Sequence, residues 1–446
     1  MTPSLQRRSF LKSITVSSGA LFFPYVRSQA AKKLQFGGIG VGGKGASDIA
    51  NTAAGAEIVA LCDVDRQRLE KSKTLYPNAR IFEDFREMFA AMGDKLDGVT
   101  ISTPDHSHFP AAMEAIRRGK HICVQKPLVN RVWEANQLHQ AAKAKGVITN
   151  MGNQGHLIEG IRLLKEYLTM GIIGRVKEIH VWTNRPIWPQ GQKAKDALVP
   201  EAIPANLNWQ AWLAQCPEVP YTPKLHPFAW RGHREYGSGA IGDMGCHTMD
   251  GPFFSCDLGD PYRIEAEVDD ATDITFPSAA AISMFHKTKA FGEVKVVWYD
   301  GKRKPQRPAE LDADVDWDKM TSGALYIGEE GKLLTTGDHA NNPRLLPFSK
   351  HEDWLKKANH KPSLERAKAK DPQIELVQAI LSGGVCGSNF DYSVPLTRHG
   401  ALGNIGVLLP RTTLEWDTKA QQFTNSAEAN KLLKRAAIRA GWEAFA

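Results

Sequence analysis

The chain has 446 residues, is 42% hydrophobic and carries a formal net charge of +7. Four of its 56 Lys and Arg residues, and none of its 49 Asp and Glu residues, lie in the first 31 positions, which leaves +3 for the rest. So small an excess gives no electrostatic basis for binding nucleic acid, and the length suffices for two domains with cores of their own.

The first 31 residues predict an export signal. Gln6-Arg7-Arg8-Ser9-Phe10-Leu11-Lys12 carries paired arginines, Ile14 to Val26 is modestly apolar, and Ser28-Gln29-Ala30 offers small residues for cleavage. The pattern favours export of the folded protein to the periplasm by the twin-arginine translocase. An uncleaved segment that stays as a membrane tether is the alternative, although the apolar run is short for a bilayer span.

Residues 32–150 predict a doubly wound α/β domain that binds a dinucleotide. An apolar strand from Leu34 runs into a glycine-rich loop with the spacing G-x-G-x-x-G, which lets the backbone approach a pyrophosphate at a helix N-terminus. The next strand, Glu57 to Cys62, ends at Asp63. This carboxylate can accept hydrogen bonds from both ribose hydroxyls and would repel a 2′-phosphate, so NAD is favoured over NADP. The predicted phosphate-binding residues are Gly40, Gly42, Gly43 and Gly45.

A strand, helix and strand at residues 99–128 predict the rest of the cofactor wall. The first strand ends at Ser102, a turn follows at Pro104, and the apolar residues between Phe109 and Ile116 have helical spacing. The second strand brings Lys126 to its carboxyl end, where parallel strands face the ligand crevice. The predicted cofactor-side residues are Ser102, Thr103, Pro104, His106, Gln125 and Lys126.

Residues 151–410 predict an α+β domain with a largely antiparallel sheet. Strand-like runs separated by turn residues dominate this part of the chain. They are Val176 to Thr183, Tyr262 to Val268, Asp273 to Phe276, Ala279 to Phe285 and Glu293 to Tyr299.

A long insertion, residues 184–242, is rich in Pro, Trp and Gly and has little periodicity, which is typical of a functional segment. Its aromatic rings could pack on the C–H side of a sugar, and its cations could bind hydroxyl groups. The alternative is that its tryptophans fill a small core of the insertion itself. The predicted substrate contacts in and next to it are Trp182, Arg185, Trp188, Trp230, Arg231 and His233.

Lys126, Asp243 and His247 predict chemistry on a secondary alcohol. Asp243 and His247 are four residues apart, so one helical turn places them on the same face. A histidine can take the hydroxyl proton, an aspartate can orient it, and a lysine can stabilise negative charge on oxygen. Asp250, close to one turn further on, is either a substrate contact or a residue of the helix surface.

Metal-dependent hydrolysis is the competing interpretation. Two groups of side chains have tolerable ligand spacing, but both lie beside a dinucleotide motif and neither matches H-E-x-x-H, so no metal is predicted. The groups are Asp105, His106 and His108, and Asp243, His247 and Asp250.

Together these motifs resemble the Gfo/Idh/MocA family of glucose-fructose oxidoreductase and inositol dehydrogenase, over nearly all of the mature chain. The resemblance is closest to the exported, twin-arginine branch, marked by residues 151–156, 181–186 and 242–247. It implies a Rossmann domain, an open-faced substrate domain, and catalytic roles for Lys126, Asp243 and His247. One departure is Gln125, where the family has an acidic residue; a neutral neighbour would stabilise the lysine's charge less.

The expected function is therefore that of an exported NAD-dependent oxidoreductase acting on a secondary hydroxyl of a sugar, cyclitol or glycoside. Free NAD is scarce outside the cytosol, so the cofactor is expected to be loaded before export and held through turnover. A glycoside-cleaving enzyme that uses transient oxidation and elimination remains an alternative, as does a non-catalytic sugar-binding protein. We also expect a homo-oligomer and a C-terminal segment, residues 411–446, that packs back on the body.

Overall fold

The computed structural model describes residues 33–446, so the predicted export signal lies outside the described residues. Within this range, no helix is both long enough and apolar enough to cross a membrane. The described chain contains two sheets, one of six strands and one of nine.

The first sheet is parallel throughout and forms the doubly wound half of the predicted α/β fold. Its strands are β1 (Gln35–Ile39), β2 (Glu57–Cys62), β3 (Arg80–Phe82), β4 (Gly98–Ile101), β5 (His121–Val124) and β6 (Thr149–Met151). Their order is β3-β2-β1-β4-β5-β6. The order reverses between β1 and β4, and a crevice opens at the carboxyl ends of strands at such a point.

The helices between these strands cover both faces of the sheet, which explains why the strands read as short apolar runs. They are α1 (Lys44–Ala53), α2 (Arg66–Leu75), α3 (Phe85–Met92), α4 (Asp105–Arg117) and α5 (Val132–Lys145). Asp65 and Asp84 cap α2 and α3 by accepting backbone N–H groups of Gln67 and Arg86. The apolar runs and the capping aspartates, both visible in the local sequence, thus determine where these strands and helices begin.

The second sheet is largely antiparallel, as predicted, and only its pair β7 and β10 runs parallel. Its strands are β7 (Val176–Thr183), β8 (Arg263–Asp269), β9 (Ala279–Thr288), β10 (Gly292–Tyr299), β11 (Ser322–Gly328), β12 (Lys332–Thr336), β13 (Asn341–Leu345), β14 (Leu414–Asp417) and β15 (Gln422–Phe423). Their order is β13-β12-β11-β7-β10-β9-β8-β14-β15.

The remaining helices are α6 (Glu159–Thr169), α7 (Ala194–Ala197), α8 (Trp209–Leu213), α9 (Gly239–Thr248), α10 (Asp250–Cys256), α11 (Phe348–Ala358), α12 (Pro372–Ser382), α13 (Phe390–Leu408) and α14 (Ala427–Lys431). Helices α9 and α13 pack on the second sheet and on each other, so α9 lies between that sheet and the strand ends of the first. This placement decides which side chains reach the crevice.

One prediction about this half needs correction. The run Asp273 to Phe276 is not a strand, because the Thr272 hydroxyl accepts the N–H of Thr275 and turns the chain. Within the predicted domain 151–410, one helix packs on the other half of the protein. Helix α12 returns to the first sheet, where Leu376 and Val377 join the core that contains Phe36.

Residues 411–446 add β14 and β15 to the edge of the second sheet and then cross to the first domain. There the Trp442 ring packs edge-on against Phe85 of α3, with ring centroids 5.8 Å apart. The Arg86 guanidinium lies over the same indole at 4.1 Å. The C-terminal segment therefore joins both halves of the protein.

Candidate active site

The glycine-rich loop lies against the end of β4 so closely that side chains would not fit. Gly40 has a φ of +78°, and a Cβ there would lie 2.6 Å from the carbonyl oxygen of Ser102. A Cβ on Gly45 would lie 1.8 Å from the carbonyl oxygen of Gly40. Helix α1 begins at Lys44. The N–H groups of Gly45 and Ala46 already donate to the carbonyl oxygens of Gly42 and Gly43, which leaves the N–H groups of Gly43 and Lys44 without a partner among the described residues. The loop is shaped to receive an anion.

Asp63 at the end of β2 holds the loop in place. Its Oδ2 accepts the N–H groups of Val41, at 2.8 Å, and Gly42, at 3.2 Å. Its Oδ1 accepts the N–H of Asp65 at 3.0 Å. Burial raises the pKa of Asp63, and the backbone N–H donors oppose that shift. Two carboxylate oxygens offer about four acceptor positions and three are used, so about one is left for a ribose hydroxyl, fewer than the two that the sequence suggested.

Asp48 of α1 is a site residue that the sequence reasoning missed, and it explains Gln125. Its fully buried carboxylate accepts the Ser102 hydroxyl at 2.7 Å and the Gln125 amide at 2.8 Å. The ammonium group of Lys44 pairs with its other oxygen. An acidic residue at position 125 would place two carboxylates in contact, which costs free energy unless one is protonated. Only the fold shows that Asp48 is buried beside Gln125, so the sequence offered no signal for this contact.

Lys126 reaches across the crevice to α9. Its Nζ donates to the carbonyl oxygen of Asp243 at 2.7 Å and to Asp243 Oδ1 at 2.9 Å. The Arg231 Nε lies 3.6 Å from the same oxygen. Burial alone would raise the pKa of Asp243, but Lys126 and Arg231 outweigh it and lower that pKa. The lysine and aspartate side chains are 17% and 16% exposed, so solvent or a ligand reaches the pair.

His247 lies one turn further along α9, beside a second histidine that the sequence reasoning did not identify. The ring of His339, from the turn between β12 and β13, lies 5.0 Å from the His247 ring at 81°. Burial, followed by the charge of Lys126, lowers the pKa of His247 well below its usual value. The imidazole is therefore neutral at neutral pH, the form that can accept a proton. Nδ1 of each ring is buried without a partner among the described residues.

The position of His339 depends on Gly155. A Cβ at residue 155 would lie 2.3 Å from His339 Nδ1, so only glycine lets this ring sit beside His247. Nothing local to residue 339 predicts such a contact, because the two residues are far apart in the sequence. Within the sequence motif at 151–156, the glycine at position 155 therefore leaves the space that the His339 ring occupies.

Asp105, at the first turn of α4, is a second residue whose place the sequence did not predict. Its Oδ2 accepts the Ser238 hydroxyl at 2.7 Å, which joins α4 to the residue just before α9. Burial raises the pKa of Asp105 to about 7, and the Ser238 hydrogen bond opposes this. Lys126 and Asp243 are among the charges that act on it. Asp105 thus couples the cofactor half to the helix that carries Asp243.

His106 does not form part of the cofactor wall. Its Nε2 lies 2.7 Å from the carbonyl oxygen of Trp212 and its Nδ1 3.3 Å from that of Tyr236, and the neutral ring has one N–H to donate to one of them. The ring is fully buried between those two aromatic rings, and burial lowers its pKa to about 3. It faces the insertion, whereas Asp105 bonds to Ser238 and Ser102 lines the crevice.

Two of the predicted substrate contacts are buried elsewhere. Trp182 is 1% exposed, packs on Trp317 and donates its indole N–H to Met320. Val181 belongs to the core shared with α9, and neighbouring strand residues point to opposite faces, so Trp182 points away from the site. Asp250 is also buried.

The Asp250 carboxylate is already occupied by the protein. It accepts His156 Nδ1 at 3.1 Å, the Asn153 amide at 3.3 Å and the Tyr392 hydroxyl. Asp250 therefore holds α10 against the chain around residue 153, and its side chain is not available to a substrate.

The insertion has a core of its own, as the alternative interpretation held. Trp230 and Trp212 belong to it, and Trp230 lies under Arg231, whose guanidinium is 4.3 Å from the indole ring. The predicted contacts Trp188 and His233 are 5% and 3% exposed, with ring nitrogens bonded to Gln190 and the Lys224 carbonyl. Arg231, and not the tryptophans, brings the insertion to Asp243. Arg185 is half-buried at the end of β7 and pairs with Asn184.

Residues 33–446 contain no group of three or more His, Cys, Asp or Glu side chains placed to hold a metal ion. His106 and His108 bond to backbone carbonyls, and Asp105 bonds to Ser238. The first set considered for metal-dependent hydrolysis is thus engaged in other contacts, and of the second set Asp243 bonds to Lys126 and Asp250 to His156.

The fold and this crevice define a two-domain α/β protein of the dinucleotide-binding oxidoreductase class. Two family models match the chain: the NAD-binding Rossmann fold of an oxidoreductase family over residues 34–153, and the C-terminal alpha/beta domain of an oxidoreductase family over 159–308. Together they span more than half of the sequence. The chain belongs to the Gfo/Idh/MocA oxidoreductase family.

Inositol 2-dehydrogenase of Burkholderia multivorans is 33% identical over 152 residues, 33% of this chain and 44% of that protein. The NADP(+)-dependent scyllo-inositol 2-dehydrogenase of Bacillus subtilis is 21% identical over 238 residues, 53% of this chain and 54% of that protein. The matches thus span about half of these curated relatives, or less. The WlbA dehydrogenase of Bordetella pertussis, solved with NADH and UDP-GlcNAcA, has a TM-score of 0.61 at 15% identity and covers 86% of this chain and 98% of that one. This likeness concerns the fold.

The residues present fit a dinucleotide. The loop at Gly40 and Gly45 has no room for side chains, the N–H of Lys44 at the start of α1 is left for a pyrophosphate, and Asp63 lies where a ribose would bind. Ser102, Thr103 and Pro104 line the same crevice. These residues would hold the cofactor, with Lys126 on the reaction side.

Proposed function

We propose that this protein is an exported NAD-dependent oxidoreductase that acts on a secondary hydroxyl of a sugar, cyclitol or glycoside and keeps its NAD through turnover. The observation that carries the proposal is the convergence of Lys126, Asp243 and His247 beside the dinucleotide crevice. Bound NAD would supply the hydride acceptor. The protein's task is then to bind the alcohol, remove its proton and stabilise the developing charge.

Each of the three side chains has a role that follows from its surroundings. His247 is neutral and can take the hydroxyl proton as the C–H bond gives up its hydride. The Lys126 ammonium, fixed by Asp243, can stabilise negative charge on the alcohol oxygen. Arg231 adds a second cation beside Asp243 and a donor for a neighbouring hydroxyl.

Asp63 supports NAD over NADP, because its buried carboxylate would repel a 2′-phosphate. One relative is named as NADP-dependent, so the choice requires a direct measurement. Purified protein should release NAD on denaturation, as detected by mass spectrometry. A purified protein without bound nicotinamide nucleotide would contradict retention through turnover, and bound NADP would contradict the choice of cofactor.

Incubation with a panel of sugars, cyclitols and glycosides, followed by bound-cofactor absorbance and product analysis, tests the reaction. Net oxidation supports the oxidoreductase proposal, whereas glycoside cleavage with no net change in the cofactor favours transient oxidation and elimination.

His247→Ala should lose turnover by about 10²- to 10⁴-fold and retain NAD. A wild-type protein that binds sugar but never turns it over would identify a binding protein. The pairing of Gln125 with Asp48 argues against that outcome, since it accounts for the only departure that suggested lost catalysis.

Export is supported by the paired arginines Arg7 and Arg8, followed by an apolar stretch. Replacement of both by lysine should leave the protein in the cytosol of a producing bacterium, as measured by cell fractionation. Unchanged recovery in the periplasm would contradict the twin-arginine route.

A further inference from the structure

The far wall of the dinucleotide crevice comes from the insertion. On one side the crevice is lined by Asp63 and by Ser102 to Pro104, and on the other by Trp212, His226 and Pro227. We use the name strap for residues 206–227, which include α8. A dinucleotide-binding domain alone would leave this side of the groove to solvent, so the strap encloses part of the site.

The strap is fixed to the end of β2 by backbone hydrogen bonds. The Arg66 N–H donates to the carbonyl oxygen of Asn206 at 2.9 Å, and the Asn208 N–H donates to that of Val64 at 2.8 Å. Between them, Asp65 and Leu207 form an isolated antiparallel bridge. The Asn206 amide also donates to Asp65 Oδ1 at 2.8 Å. This attachment begins at Val64, one residue after Asp63.

Two further attachments hold the strap against the rest of the protein. The His106 imidazole bonds to the Trp212 carbonyl at 2.7 Å, which ties α8 to α4. From the C-terminal segment, Arg439 donates to the carbonyl oxygens of Ala214 and Gln210 at 2.7 and 2.6 Å. With three separate attachments, the strap is a wall of the site.

Trp212 has an unsatisfied polar group at this wall. It is 3% exposed and stacks on Trp209 with ring centroids 4.5 Å apart. Its indole N–H has no acceptor among the described residues. A buried donor without an acceptor is costly, and Trp N–H groups normally find one. Nearby, burial and then Arg68 lower the pKa of His226 to about 4, so that ring is neutral.

The position along the groove identifies which part of a dinucleotide meets this wall. The pyrophosphate belongs at the start of α1, and the ribose beyond it at Asp63. Lys126 and α9 mark the opposite, reaction end. The group that lies past Asp63 is therefore the adenine base, which is planar, apolar on its faces and rich in ring-nitrogen acceptors.

We infer that Trp212 is an adenine-binding residue, donating its indole N–H to the base, and that the strap limits the rate at which bound NAD leaves. This inference rests on the proposed use of NAD. It gives a physical basis for carrying the cofactor through export, because release then requires the strap to separate from β2.

Exchange of bound NAD with isotopically labelled NAD, followed by mass spectrometry of the denatured protein, tests the inference. Trp212→Ala should raise the exchange rate constant by about tenfold to a hundredfold, the effect of losing an aromatic contact with a base. Trp212→Phe keeps a ring but not the N–H and should fall between Ala and wild type.

Trp317→Ala is the matched control. Trp317 is 6% exposed and packs on Trp182 in a different core cluster, so its loss should lower stability without changing exchange. An exchange rate for Trp212→Ala no higher than that of Trp317→Ala overturns the inference.

A second experiment locks the strap in place and does not require removal of the tryptophan. Asp65 and Leu207 are directly opposite in the bridge, so the pair Asp65→Cys and Leu207→Cys should form a disulfide; all six native cysteines are buried. Oxidation of this pair should slow NAD exchange, and equal rates in the oxidised and reduced protein overturn the inference.

If the wild type exchanges NAD as expected but never turns over a substrate, the catalytic proposal fails and the inference about Trp212 and the strap stands. A wild type that binds no NAD overturns both.

Discussion

The two sides of the crevice are built in different ways. On the cofactor side the shape comes from the backbone of one short stretch, where Gly40 and Gly45 lie against the loop and the end of β4. On the reaction side the chemistry comes from side chains of distant segments, with Lys126 bonded to Asp243 and the ring of His247 beside that of His339.

The difference has a consequence for how each side tolerates change. Gly40 and Gly45 depend on the absence of a side chain, so an added carbon at either position disturbs both the loop and cofactor binding. A side-chain constellation depends on groups that can be exchanged while the fold persists. Substitutions on the two sides should therefore separate cofactor binding from turnover.

The largest effect is expected at Gly45. In Gly45→Ala the new Cβ would lie 1.8 Å from the Gly40 carbonyl oxygen, so the loop must move. We expect loss of NAD binding and a fall of about 4 kcal/mol in the free energy of unfolding, measured by calorimetry and urea denaturation. Gly37→Ala is the control, because its Cβ would meet only side chains at 3.4 Å or more. Retention of NAD by Gly45→Ala would contradict the close approach.

On the reaction side, Asp243→Asn should reduce turnover by about 10²-fold while NAD remains bound, because Lys126 loses its charged partner. The rate of bound-cofactor reduction and the NAD content of the purified protein are the two measurements. Glu178→Gln is a matched control, since Glu178 pairs with Lys295 at the same 2.9 Å on the second sheet. Equal losses in the two variants would show that Asp243 has no specific role.

A smaller effect is expected where the two sides meet, at Gln125. Gln125→Glu places a second carboxylate against Asp48 and should weaken NAD binding about tenfold at neutral pH, as measured by titration calorimetry. The loss of NAD affinity should become smaller at low pH, because one proton shared by the two carboxylates removes their repulsion. Asp48→Asn combined with Gln125→Glu should restore binding. A double variant no better than the single one would contradict a direct contact.

The smallest effect concerns pH dependence, first of stability and then of turnover. Burial raises the pKa of Asp105 from 3.8 to about 7, so between these pH values the folded protein holds a proton that the unfolded chain releases. The free energy of unfolding therefore falls as pH rises through this window, and Asp105→Asn should flatten that fall. Urea denaturation at several pH values measures it.

Asp300→Asn is the control for this prediction. Burial also raises the pKa of Asp300 to about 7, against hydrogen bonds from Trp298 and Ala280, and Asp300 lies just after β10. Both variants should flatten the stability curve, but only Asp105→Asn should alter the pH profile of turnover. An unchanged profile in Asp105→Asn would separate this residue from the reaction.

Sequence reasoning succeeded where a residue's position follows from its neighbours along the chain. The order of strands and helices before residue 151, and the glycine loop before α1, follow from local periodicity and loop chemistry. It failed for Trp182 and His106, which were predicted to contact substrate or cofactor but are buried. The register of β7 buries Trp182, and the insertion buries His106. His339 was missed because its partner is His247, nearly a hundred residues earlier, and no local pattern records that contact.

The sequence by itself determined the glycine loop, the acidic residue at the end of β2, and the delivery of Lys126 to the strand ends, because each depends on a short run of backbone. The tertiary structure decided which polar groups meet: Asp48 with Gln125, Asp105 with Ser238, and the strap with the end of β2. The reason is physical. A hydrogen bond or a buried charge depends on distance in space, which a chain can close between residues of any separation, whereas the pattern of a strand or a loop depends on adjacent residues alone.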